Sequence, residues 1–222
     1  MRNQLPSRTF RLAGVELDLR ATVALAATTL LVTIDRYHDL VPMRDSLEVA
    51  RGMALEGALF YLLIPLLIIL VVFRESPRDY GMTFGDWRLG AKLTLVIVAV
   101  LVPLVALAAR TPAMRAYYAG DDGAWQGILP PMALALFGWE FLFRGFLLFS
   151  LAALMGPTAI IVQAVPFALA HLGKPEIETI TTILGGSLFG WVAWRTRSFF
   201  YPFLIHLAIY SLTVVLATTF SG

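Results

Sequence analysis

Seven stretches of this chain are too apolar and too long for a water-soluble fold to hide. They run over Ala21–Ile34, Gly57–Phe73, Leu93–Ala109, Pro131–Met155, Thr158–Leu172, Ile177–Trp194 and Phe199–Phe220. A helix needs about 20 mainly apolar residues to cross the hydrocarbon core of a bilayer. Most of these runs come near that length, the first and fifth being short. Of 222 residues, 59% are hydrophobic and only 14% charged, too little charge to cover a soluble domain. In lipid every backbone polar group needs a partner within the protein, which leaves helices or closed barrels. The runs predict an all-α fold, a polytopic membrane bundle of about seven (six to eight) transmembrane helices in one membrane domain over residues 1–222. The stretch from Asp35 to Glu56 has room for a further interfacial helix.

The absence of cysteine excludes disulfides, thiolate metal sites and thiol nucleophiles. A net charge of +2 arises from arginines in short loops, with no clustered basic face of the kind nucleic acid requires. The N-terminal arginines followed by Ala21–Ile34 superficially look like a signal sequence, but further apolar runs favour a retained first span. With the N-terminus in the cytoplasm, inside segments hold ten Lys or Arg residues, from Arg2 to Arg197. Outside segments hold six, Arg36, Arg44, Arg51, Arg110, Arg115 and Lys174. That bias favours the N-in orientation. Gly186 and Gly190 form a small-xxx-small pair, read as close helix packing.

Ionisable residues within apolar runs are costly, about 2.5–3.5 kcal/mol each on insertion scales, and so tend to face inward and to be functional. Of fifteen acids, Glu140 alone lies deep inside a run, and Arg144 is the one base inside a span. Their i, i+4 spacing in Trp139-Glu140-Phe141-Leu142-Phe143-Arg144-Gly145 puts them on one helix face. A neutralising pair that merely lets the helix enter lipid is the plainer interpretation. His171 ends a run and His206 lies well inside one, with Tyr210 one turn on. A single histidine of either kind is as easily a cap or an interhelical hydrogen bond. One Glu and two His on three different spans is a less accidental set. Hydrolysis needs a base for water, donors for an oxyanion and a wet site sheltered from lipid. These residues can supply all three.

The same residues resemble the CPBP group of CAAX proteases and bacteriocin-processing enzymes, also called the Abi family, relatives of the Rce-type prenyl-protein endopeptidase. The family pattern is Glu-Glu-x-x-x-Arg, then Phe-x-x-x-His, then His-x-x-x-Asn or Asp, on successive membrane helices. Glu140 and Arg144 match the second Glu and the Arg, Phe167 and His171 match the second motif, and His206 matches the third. The resemblance covers roughly Phe137 to Ser211, within a family-like catalytic core at residues 131–211. Trp139 stands where the first Glu is expected, and Tyr210 where Asn or Asp is expected. The segment Trp-Glu-Phe-x-Phe-Arg-Gly, with Gly-Lys-Pro-x-x-Glu after the second motif, resembles a bacterial branch of the family.

The resemblance implies an intramembrane endopeptidase acting on a membrane-associated protein or peptide, in a bacterial plasma (inner) membrane. Glu140 or His171 would polarise a water, His206 with the Tyr210 hydroxyl would donate to the oxyanion, and Arg144 would orient Glu140. Glu178 is an alternative base, since Trp139 cannot accept a proton. Two His and one Glu are plausible zinc ligands, but no His-Glu-x-x-His run is present, and a metal-free mechanism is favoured. Trp139 and Tyr210 also suit a non-catalytic member of the fold, acting in bacteriocin immunity or as a scaffold. Buried Glu, Arg and His also line the proton paths of transporters, a less favoured reading because no duplicated half is visible.

Overall fold

The computed structural model describes residues 8–38, 40, 45–118 and 125–220. Arg2 and Arg44, counted for orientation, lie outside them. The described chain begins with a hairpin, β1 (Thr9–Leu12) and β2 (Val15–Asp18), paired antiparallel with Phe10 opposite Leu17. Ala13 and Gly14 form its two-residue turn, both with positive φ (49° and 84°), as a tight turn matched to strand twist requires. The apolar-run reading did not anticipate this hairpin.

Helices make up nearly all the rest. They are α1 (Leu19–Tyr37), α2 (Ser46–Phe73), α3 (Trp87–Ala108), α4 (Pro112–Tyr118), α5 (residues 125–155), α6 (residues 159–169), α7 (Glu176–Thr196) and α8 (Phe200–Thr219). Asp18, Asp45 and Asp86 cap the first three, each accepting from a backbone N–H of the first turn. The left-handed Arg74 (φ 56°) ends α2 and Arg197 (φ 59°) ends α7.

Four stretches are long and apolar enough to cross a membrane: Ser46–Phe73, Trp87–Ala108, Trp125–Leu169 and Phe200–Thr219. The all-α membrane bundle is therefore what forms, with fewer clear-cut spans than the seven expected. Helices α1 and α7 have 19 and 21 residues, but Thr, Asp, Glu and Arg dilute their apolar character. The expected spans at Pro131–Met155 and Thr158–Leu172 join in one 45-residue stretch. As a straight helix it would measure about 68 Å, over twice the roughly 30 Å of a bilayer core. Gly156, at φ 58° and ψ −137°, breaks it.

The core is built on α5. Every residue from 140 to 152 is buried, and Phe141, Phe143, Phe146 and Leu147 pack with Phe73, Tyr80, Phe199 and the Ala21–Ala24–Leu31 face of α1. Two glycines missed in the sequence bring α2 against α5. A Cβ on Gly138 would stand 2.2 Å from the Gly57 carbonyl oxygen, and one on Gly57 would stand 2.8 Å from the Ala135 Cα. Backbones touch there, as small residues allow in membrane helices. The pair on α7 plays the expected part: a Cβ on Gly186 would meet Phe167 and Ala164 of α6, and one on Gly190 would meet Gln163. The Gln163 amide donates to the carbonyls of Ile160 (2.9 Å) and Gly186 (2.8 Å), tying α6 to α7.

Candidate active site

Glu140 sits where α5 changes pitch. The next seven residues, Phe141–Leu147, form a π-helical segment, all of them buried. Such widened turns are rare and recur at functional sites. Within this one, Arg144 donates through Nη1 to Glu140 Oε1 (3.3 Å), and its Nε lies 3.3 Å from Oε2, too misaligned for a second hydrogen bond. Both side chains are 0% exposed. Breaking a sealed pair by removing one partner leaves an uncompensated charge and costs several kcal/mol.

The guanidinium of Arg144 is held by aromatic rings. Its Cζ stands 3.6 Å from the centroid of Phe167, with Phe189 at 5.4 Å and Phe143 at 5.8 Å. A desolvated cation over a ring face gains about 2 kcal/mol or more. Phe167, the first residue of the second motif, is thus the ring on which Arg144 rests. Phe189 was missed in the sequence, where nothing separates it from the other phenylalanines.

The closest partner of Glu140 comes from α8. His206 donates through Nδ1 to Glu140 Oε1 at 2.7 Å, joining residues 66 positions apart in the chain. Glu140 thus pairs with His206, not with His171. His171 lies in the turn after α6 and not at the end of a full span. Its Nδ1 donates to the Phe167 carbonyl at 2.8 Å. Phe167 links the set, with its ring 4.6 Å from that of His171 and 6.3 Å from that of His206. Glu140, Arg144 and His206 therefore interact directly, and His171 joins them through Phe167.

Tautomers follow from these partners. A carboxylate and a carbonyl only accept, so the proton of each neutral imidazole sits on Nδ1, and each Nε2 carries a lone pair. Neither Nε2 has a protein partner among the described residues, and neither is sealed in the core. Both histidines line one cavity of about 1200 Å³, whose walls include Trp139, Phe167, Glu178 and Tyr210. Glu140 and Arg144 stand behind that wall.

The two departures from the motif also border the cavity. Trp139 packs its ring near Tyr61 (5.1 Å), Phe143 (5.0 Å) and His171 (5.9 Å). Tyr210 lies edge-on to Tyr118 at 6.1 Å. Glu178 does not reach Glu140. It accepts from the Tyr118 hydroxyl (2.6 Å to Oε2) and pairs with Lys174 (2.9 Å). Burial first and the Glu178 charge second push the Tyr118 phenol well above its ordinary range, so it remains a donor. Tyr118 was also missed, since it lies in a short helix with no motif. Among the described residues, no three of His, Asp or Glu gather as a metal would require.

Residues 122–212 match the family model described as type II CAAX prenyl endopeptidase Rce1-like. No curated protein and no solved structure matches the chain. The matched segment holds Glu140, Arg144, Phe167, His171 and His206, the residues gathered by α5, α6 and α8 around this cavity. Over that segment the chain is similar to the Rce1-like family of type II CAAX prenyl endopeptidases.

Proposed function

We propose that this integral membrane protein is an intramembrane endopeptidase that hydrolyses a peptide bond of a membrane-associated protein or peptide with a histidine-activated water and no metal. The observation that carries the reading is the 2.7 Å bond from His206 Nδ1 to a fully buried Glu140. A carboxylate behind an imidazole fixes its tautomer and stabilises the imidazolium that forms when Nε2 takes a proton. His206 is then the base, Glu140 its orienting carboxylate and Arg144 the clamp on Glu140. His206 gives up the oxyanion-donor role expected from the sequence, because that role needs a proton on Nε2. His171 offers a second Nε2 lone pair, and two acceptors suit the two O–H bonds of one water.

In the reaction, the water oxygen bonds to the scissile carbonyl carbon while one water proton passes to His206 Nε2. The C–O double bond becomes a single bond with the charge on oxygen. Collapse re-forms the carbonyl, breaks the C–N bond and moves the proton from Nε2 to the leaving nitrogen. The products are a carboxylic acid and an amine. The mainly apolar cavity, within a bundle of membrane-crossing helices, suits a substrate presented from the lipid bilayer, and nucleic acid has no place in it. The arginine bias favours an N-terminus on the cytoplasmic side, and the family resemblance favours a bacterial plasma membrane.

The test is the appearance of new protein N-termini in membranes that carry the chain. Wild type should generate them, whereas Glu140→Gln and His206→Ala should not. His206→Ala keeps the Glu140–Arg144 pair, which separates catalysis from folding. Identical termini in all three would eliminate the scheme. The absence of any termini from the wild type would favour a non-catalytic member of the family, the reading that Trp139 and Tyr210 also suit.

A further inference from the structure

Both imidazoles present lone pairs to the cavity, and that leaves the developing oxyanion without an obvious donor. Acyl transfer through a tetrahedral intermediate depends on N–H or O–H groups aimed at that oxygen. Arg144 cannot serve, being fully buried behind the wall. Lys174 is engaged by Glu178, and Tyr118 donates to the same carboxylate. Several groups on the wall can donate, among them the Arg36 guanidinium and the hydroxyls of Thr28, Tyr61 and Tyr117, but two stand beside the imidazoles, the indole N–H of Trp139 against His171 and the hydroxyl of Tyr210 one turn from His206.

Geometry separates them. Trp139 adjoins Glu140 in sequence and meets the His171 ring edge-on at 5.9 Å, with Phe167 at 6.1 Å. It is half-buried, and its N–H is not among the sealed, unpartnered polar atoms of the core, so it faces open space. Tyr210 packs edge-on against Tyr118, 6.1 Å away, and stands one turn from His206 on α8. Tyr61 and Phe143 brace the indole from other sides, at 5.1 and 5.0 Å, which gives the N–H a fixed direction. An indole nitrogen can only donate. A residue useless as a base is therefore well suited to an oxyanion.

We propose that the Trp139 indole N–H is the hydrogen-bond donor to the scissile carbonyl oxygen as it becomes an oxyanion. This rests on the hydrolase reading of the site and adds a catalytic residue to it. The position that carries a carboxylate in the family motif then carries a donor, with proton transfer left to the His206–Glu140 pair. No proton leaves the indole; the hydrogen bond strengthens as charge grows on oxygen and relaxes when the carbonyl re-forms.

The experiment follows new N-termini over time in membranes carrying wild type, Trp139→Phe, Trp139→His, Tyr210→Phe or His206→Ala. Trp139→Phe keeps an aromatic ring in the site and removes the donor together with one fused ring. It should slow cleavage by about 10²–10³-fold, the loss typical of one oxyanion donor, with its melting temperature in detergent unchanged. Trp139→His returns a ring N–H and should recover part of the rate. A wild-type rate for Trp139→Phe beside an inactive His206→Ala would overturn the donor role and leave the hydrolase reading standing. Loss in Tyr210→Phe without loss in Trp139→Phe would also overturn it and move the donor to Tyr210. Equal cleavage by every variant, or none by wild type, would overturn the hydrolase reading and this inference with it.

Discussion

At Glu140 one carboxylate serves two partners of different kinds, the permanent cation of Arg144 and the Nδ1–H of His206. The site is sealed on the Arg144 side and open on the His206 side, where the imidazole is 15% exposed against 0% for Glu140. That asymmetry separates structural cost from chemistry. Glu140→Gln removes the charge that neutralises Arg144 and should destabilise the fold by about 3–5 kcal/mol, read from unfolding in detergent. Adding Arg144→Met should recover much of that loss, since an apolar replacement of a buried pair is often neutral, yet it should restore no activity. If the double variant is no more stable than Glu140→Gln, the pair is not the electrostatic unit described. Glu140, Arg144, His171 and His206 were legible because lipid penalises each of them. Phe189 and Tyr118 were not, since an aromatic residue in an apolar chain carries no such mark.

Among the elements, the site depends on how closely α2 approaches α5. Gly138 lies two residues before Glu140, and a Cβ there would strike the Gly57 carbonyl oxygen. Gly138→Ala should push the helices apart, lower the melting temperature and suppress cleavage. Gly127→Ala, on the same helix with only Leu47 Cδ1 at 3.6 Å, should change neither. A fully active Gly138→Ala protein would contradict the crossing.

A second element contact holds the connector after α2. Arg20 Nε donates to both Glu75 oxygens at 3.0 Å, and the Tyr80 hydroxyl donates to Oε2 at 2.6 Å. Burial pushes the Glu75 carboxyl up, but the hydrogen bonds from Arg20 and Tyr80 more than offset it and hold the group below its ordinary value. A depressed acid contributes stability that is present above its unfolded value, near pH 4.3, and is lost as pH falls through the folded value. Melting temperature should therefore drop as pH is lowered below about 4. Glu75→Gln should weaken at neutral pH and lose that part of the acid dependence. An unchanged acid limb in the variant would contradict the assignment.

For the whole molecule the decisive feature is a large cavity among helices that otherwise face lipid. Its walls come from all of α1 to α8 together. Hydrolysis requires it to hold water. The native chain has no cysteine, so single cysteines report access cleanly. Leu188→Cys, on the cavity wall, should react with a water-soluble maleimide in intact membranes. Leu95→Cys, 72% exposed on the outer face of α3, should resist it because lipid covers it. Equal reactivity at both positions would contradict a wet cavity set in a bilayer.

The amino-acid order alone determined that this chain is a helical membrane bundle, since hydrocarbon admits no other use for such long apolar runs. It also marked the costly polar residues and their motif, because each must be offset wherever it lies. The tertiary structure decided which imidazole stands behind which acid: His206 lies 66 positions from Glu140, and no local period connects them. It likewise decided the backbone contact at Gly57 and Gly138, and the diversion of Glu178 to Tyr118 and Lys174. Those depend on how helices cross and turn, which is set by the summed fit of many side chains and not by any one segment.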